Sequence, residues 1–171
     1  DLRIETAQSQ IFRQNSVDLN CKRHFSVFEK YHIIPAFCFG CFKVEIKPRS
    51  VIELIKLFII FDQLKLDGNN TRKCMVELRA EISGFYKGLI YCSSLEQATD
   101  TIHLLQPIIA KKIGAELPVT VKRGCSEYSI AFPDYGIINE ESRQLMSYDE
   151  RWRLTEEIHD REHCLERGGA I

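Results

Sequence analysis

Cysteine beside lysine or arginine is the combination in this sequence best suited to chemistry. Cys38-Phe-Gly-Cys41 has the spacing of a metal-ligating or redox pair, and Cys21-Lys-Arg-His24 offers a second pair at the same separation. Lys122-Arg-Gly-Cys-Ser-Glu127 joins two cations, a glycine and a thiol. A glycine break in a strand frees backbone N–H groups, and neighbouring cations favour both a thiolate and a bound anion. Arg72 and Lys73 precede Cys74 in a similar way. The plain alternatives are buried thiols, which pack as small hydrophobes, and an ordinary polar β-bulge at Gly124.

His159 and His163 share one helical face, with Cys164 adjacent. Asp160 stands where the zinc-protease motif requires glutamate, so the expected reading is a solvated, charged face. No Gly-rich phosphate loop is present, and no Ser-His-Asp order can be singled out. Cys125 is a candidate nucleophile for a thiol enzyme, without a defined partner histidine.

The elements that must position these groups follow from periodicity. Val17, Cys21, His24 or Phe25, and Phe28 recur at helical spacing, and Pro35 ends that segment. Residues 38–47 alternate Phe42, Val44 and Ile46 with Lys43, Glu45 and Lys47, which predicts a half-buried strand whose polar side faces outward. Ser50 and Glu53 form a capping box for a strongly apolar helix to about Leu64. Residues 72–79 and 85–92 predict an antiparallel pair of strands, and Ser94 with Gln97 caps a second helix that Pro107 should kink or end early. A fourth strand is expected from Val119, broken at Gly124 and resumed through Tyr128, Ile130 and Phe132. Ser147 and Glu150 predict a third capping box, opening a charged helix to about Arg167 with Trp152, Leu154 and Ile158 as its apolar contacts, ended by Gly168-Gly169.

This order, helix, β-α-β-β-α-β, helix, predicts an α+β fold with a ferredoxin-like core. That core is a four-stranded antiparallel sheet in order 4-1-3-2. The whole is expected to be a single domain: an N-terminal helical segment (1–35), the α+β core (36–136) and a C-terminal helical region (137–171). In such a sheet Cys38, Cys41, Cys74, Cys92 and Cys125 fall at one end. Strands lie about 4.8 Å apart, so Cys74 and Cys125 on the outer strands are too distant to share an ion. A zinc or iron–sulfur site would draw on Cys38, Cys41, Cys92 and Cys125. Regular strand parity sends Cys38 and Cys41 to opposite faces unless Gly40 bends the chain.

The composition bounds the function classes. With 44% hydrophobic and 27% charged residues the sequence is that of a globular protein, and 23 basic against 24 acidic residues give a net charge of −1. A protein built to coat nucleic acid is therefore disfavoured, and Tyr86-Lys-Gly-Leu-Ile-Tyr91 does not fit an RNA-recognition strand. An odd count of seven cysteines points to a reduced, cytoplasmic protein, and no apolar run is long enough to span a membrane. The first residue is Asp1 rather than Met, the expectation for a fragment of a longer chain. Taken together, the expected protein is a non-catalytic ligand-binding or regulatory domain with a cysteine-rich, basic site at one end of its sheet. Arg72, Lys73, Lys122, Arg123 and Glu127 would hold an anionic small molecule or an acidic group of a protein partner. The alternatives are a metal or thiol site on the same cysteines, and an interaction module docking through helix 50–64 or the last helix. The sequence defines neither the cofactor nor the oligomeric state.

Overall fold

Apolar residues at every second position give each central strand one face to bury, and the helices between the strands carry the apolar stripes that cover it. The computed structural model describes residues 9–14, 18–139 and 144–168, with side chains as far as residue 163. The strands are β1 (Gln10–Gln14), β2 (Phe42–Ile46), β3 (Arg72–Val76), β4 (Tyr86–Cys92) and β5 (Val119–Arg123). The helices are α1 (Cys21–Tyr31), α2 (Val51–Gln63), α3 (Leu95–Lys112), α4 (Ser126–Ala131), α5 (Pro133–Gly136) and α6 (Trp152–Gly168). Every strand pair is antiparallel, in the order β1-β3-β4-β2-β5.

The fold is thus α+β with an antiparallel sheet, but the four-stranded ferredoxin-like sheet is corrected to five strands. Gln10–Gln14 adds to the free edge of β3, in a segment expected to be helical. This strand has no clear period-two pattern: Ile11 and Phe12 stand together among polar residues, and both are exposed at the sheet edge. Val17, expected near the start of the first helix, lies outside the described residues, and α1 begins at Cys21. It stops at Tyr31 rather than at Pro35, because His32 adopts a left-handed conformation (φ 54°).

One face of the sheet is the main core. Val44, Ile46, Ile90 and Cys74 pack against Leu57, Ile60 and Phe61 of α2 and Leu105 and Ile109 of α3. Burying each of the large side chains contributes about 1.5–3 kcal/mol. Gly88 is required at this layer, since a Cβ there would lie 2.4 Å from a methyl of Leu57. Both helices are capped as expected, with Ser50 Oγ accepting from Glu53 N and Ser94 Oγ from Gln97 N. The returning bonds land one residue earlier than the motif predicts: Glu53 accepts from Arg49 N and Gln97 from Ser93 N. Pro107 does not end α3 early. The helix runs on to Lys112, with Leu105 and Ile109 buried on either side of the missing N–H.

Three further expectations are corrected. Cys38 does not belong to a strand: Ala36–Gly40 is a 3-10 turn, and β2 starts at Phe42. After Gly124 (φ 53°) the chain does not resume as strand but turns into α4 and α5. Tyr128, Phe132 and Tyr135 are spaced by four and three, so they also satisfy a helical period. Their rings gather with Phe28, Phe39 and Trp152 around Cys38 and Ile34 in a second, aromatic cluster. Gly124 is fixed by both conformation and space, because a Cβ would overlap the Tyr135 hydroxyl.

The third correction concerns α6. It begins at Trp152, not at Ser147; the residues just before it are held by Arg123, which donates to Met146 O, and by Tyr148, which donates to Glu156. Leu154 and Ile158 are exposed, and the inward face is instead Trp152, Glu156 and His159. Glu156 accepts from Arg23 and from Ala36 N, and Arg23 also forms two 2.8 Å bonds to Asp160. The last helix docks on α1 through these ion pairs rather than through an apolar stripe. Gly169 lies outside the described residues.

Candidate functional site

The second face of the sheet carries Lys43 and Glu45 from β2, Lys73 and Met75 from β3, Lys87, Leu89 and Tyr91 from β4, and Lys122 from β5. Strand parity puts them there, one residue out of step with the apolar core. The sequence predicts that this polar side meets solvent. Instead α1 and the start of α4 overlie it, and the edge strand β1 borders it beside β3. Lys43, Lys73 and Lys87 retain only 5%, 8% and 2% of their exposure. Between these layers lies a cavity of about 740 Å³, walled on the helical side by Cys21, Phe25, Ser26, Cys125 and Glu127. That volume is in the range of small-molecule sites.

Buried charge must be paired or it opposes folding. Half of this cavity obeys that rule internally. Lys87 lies 3.5 Å from Glu77 and 3.7 Å from Glu45, and Arg79 joins Glu77 at 2.8 Å and also contacts Glu127. Burial alone would raise the Glu77 pKa, but hydrogen bonds from the Arg79 side chain and backbone overcome it and bring the pKa down to about 2.

The other half does not. Lys43, Lys73 and Lys122 have no carboxylate within ion-pair distance among the described residues. They donate instead to Cys125 Sγ at 3.2 Å, to Gln10 Oε1 at 2.6 Å and to Ser126 Oγ. Lys43 and Lys73 both lie over the Tyr91 ring, 4.9 and 5.8 Å from its centroid. Burial, and then the positive charge of Lys43, pushes the Lys73 pKa down to about 8 and lowers that of Lys122 as well. For Lys43 burial acts in the same sense, but attraction to Cys125, Tyr91 and Cys41 outweighs it and holds the ammonium well above the usual lysine pKa. Tyr91 is pushed up to about 12 and Cys41 to about 11, both chiefly by burial.

Of the residues expected to bind an anion, Lys73, Lys122 and Glu127 therefore line one cavity, while Arg72 and Arg123 lie elsewhere. Each arginine is the sequence neighbour of a cavity lysine and points through the opposite face of the sheet. Arg72, 1% exposed, donates to Phe61 O, Leu64 O and Asn70 O and so closes the C-terminal end of α2. Arg123 donates to Phe39 O, Tyr135 O and Met146 O, tying three loops together. The cavity thus lies on a sheet face rather than at a sheet end.

The cysteines also separate. Cys38 is in the aromatic cluster, with its thiol 3.7 Å from Tyr128 Oη, and burial pushes its pKa upward. Cys74 and Cys92 face α2 and α3, Cys92 beside Thr101 at 3.9 Å. Cys125 borders the cavity. Among the described residues no group of three His, Cys, Asp or Glu side chains converges as a metal site, so Cys38, Cys41, Cys92 and Cys125 do not come together as one. His159 is not on a solvated face: it is fully buried, bonded to Ser26 Oγ at 2.8 Å and stacked on His163 at 4.2 Å. The Cys164 side chain lies outside the described residues.

Lys43, Lys87 and Tyr91 were not expected as site residues. The pattern that places them was legible as period two in both strands, but it does not say that a helix covers the polar side. No helix among the described residues is long and apolar enough to cross a membrane. No family model matches this sequence, and no curated protein or solved structure matches it.

Proposed function

We propose that the cavity between the sheet and α1 binds a small anionic molecule and that the protein acts as a ligand-binding domain. The observation that carries this reading is the set of three cavity lysines, Lys43, Lys73 and Lys122, whose hydrogen-bond acceptors are a sulfur, an amide and a hydroxyl rather than carboxylates. Lys73 is buried almost completely and meets only a neutral amide, and an anion between it and Lys122 would relieve the cost of burying its charge. Tyr91, Phe12, Phe25 and Leu89 supply the apolar walls that orient a carbon skeleton, and Glu77 and Glu127, paired with Arg79 and Lys87, close the far side with their charges already neutralised. The ligand class that fits is a compact carboxylate or phosphate bearing a small apolar body.

Calorimetric titration with inorganic pyrophosphate tests the reading. Lys73→Met and Lys122→Met should each weaken binding about tenfold, the effect of losing one charged hydrogen bond. Arg72→Lys should leave it unchanged. Equal binding by wild type and by the Lys73→Met/Lys122→Met double variant would remove the cavity from consideration as an anion site.

A further inference from the structure

We infer that Cys125 is a nucleophilic thiolate paired with Lys43, and that the cavity captures small anionic electrophiles through its sulfur. This rests on the reading of the cavity as an anion site and adds a covalent step to it.

Four observations converge. Cys125 Sγ is 3.2 Å from Lys43 Nζ, a direct ammonium–sulfur contact. Lys43 is buried and has no carboxylate partner among the described residues, so the sulfur is the acceptor able to neutralise it. Cys125 is only partly buried and borders a cavity large enough to admit a reagent, unlike Cys38, Cys74 and Cys92, which are buried in packed clusters. Gly124, with φ 53° and its N–H bonded to Cys41 O at 2.8 Å, fixes the turn from which the thiol projects.

Charge balance then selects the substrate. The sulfur gives an electron pair to an electrophilic carbon, an S–C bond forms, and the bond to the leaving group breaks with that group departing as an anion. Lys43 keeps its proton throughout. A neutral electrophile would convert the thiolate into an uncharged thioether and leave the Lys43 ammonium buried without a counter-ion, close to Lys73. An electrophile carrying its own carboxylate or phosphate replaces the lost charge at the same place. Lys73 and Lys122 also attract it before reaction.

The experiment compares iodoacetate with iodoacetamide on the folded protein. Peptide mass spectrometry gives the rate at each cysteine, and glutathione serves as the free-thiol reference. An iodoacetate-to-iodoacetamide rate ratio at Cys125 about tenfold or more above that of glutathione, collapsing in Lys43→Met, is the expected result. Alkylation at Cys125 no faster than at Cys74 with either reagent would overturn the inference, and pyrophosphate titration of Cys125→Ser would then report on the anion site separately. Fast reaction with iodoacetamide but a ratio no higher than that of glutathione would overturn it too, whereas the anion reading stands or falls separately on pyrophosphate binding by the wild type and the Lys73→Met/Lys122→Met variant.

Discussion

On one face of the sheet, Val44, Ile46 and Ile90 lie against Leu57, Phe61 and Leu105, with so little space that Gly88 cannot carry a side chain. On the other, one residue along the same strands, Lys43, Lys73, Lys87 and Glu45 surround a cavity. Both faces are buried, so exposure does not distinguish them. What differs is how the burial is compensated: dispersion and loss of hydrated apolar surface on the first, hydrogen bonds and partial ion pairing on the second. A close-packed apolar face can only hold the fold together. A buried polar face with a surplus of positive charge keeps unmet capacity for a ligand, and pays for it in stability.

Truncation on the two faces should separate these roles most strongly. Phe61→Ala opens a void in the packed face and should cost about 3–5 kcal/mol, whereas Leu89→Ala beside the existing cavity should cost about 2 kcal/mol. Urea denaturation of both variants measures the contrast, and equal losses would mean that the cavity face is packed as tightly as the core.

Adjacent residues on β3 provide a sharper comparison. Arg72→Met leaves the carbonyls of Phe61, Leu64 and Asn70 without their donor and should destabilise the protein by about 3 kcal/mol. Lys73→Met removes an uncompensated buried charge, so its stability should equal or exceed that of wild type, while pyrophosphate binding weakens. Loss of stability in both, or in neither, would break the distinction between the faces.

The pH dependence carries the same contrast. Lys73 is depressed to about 8 by burial and by Lys43, with Cys125, Cys21 and Arg79 also facing it. Between that value and the ordinary lysine pKa of 10.5 the unfolded chain binds more protons than the folded one, so the Lys73 contribution to stability rises as pH increases through this window. Anion binding has the opposite slope, because it favours the protonated amine: affinity should fall as pH rises through about 8, with proton uptake on binding. Calorimetry in buffers of different ionisation enthalpy measures that uptake, and Lys73→Met should abolish it.

The smallest effect belongs to the outside of α2, where Ile52, Ile55 and Ile59 are exposed, in contrast to Leu57 and Phe61 on its inner side. Ile55→Ser should change stability by no more than about 0.5 kcal/mol. A larger loss, seen in the same urea titrations, would show that this outer side is covered.

Much of the fold was legible residue by residue. Alternation along 42–46 and 72–76 and the capping serines 50 and 94 are local signals, because strand parity and cap geometry are set by neighbours in sequence; Gly124 marks a break in the strand, but not the helices that follow it. The candidate site was legible in part: Lys73, Lys122, Glu127 and Cys125 were singled out for their charge and chemistry, and they line the cavity. Arg72 and Arg123 were grouped with them on proximity in sequence, although a period of two already sends neighbours to opposite faces. The edge strand β1 had no local signature, since a short polar strand forms only where a sheet edge accepts it, and along 126–135 the spacing of the aromatic residues fitted a strand and a helix alike.

The sequence by itself determined which residues share a face: Phe42, Val44 and Ile46 on one side, Lys43 and Glu45 on the other, because the pleat fixes that parity. Only the tertiary structure decided that the second side is covered. That outcome depends on α1 returning over the sheet and β1 extending its edge, both from the N-terminal part of the chain, and on Arg23, Glu156 and Asp160 locking α1 to a helix more than a hundred residues away. Such long-range contacts turn a polar strand face into a cavity, and with it an ordinary lysine into a buried cation beside a thiol.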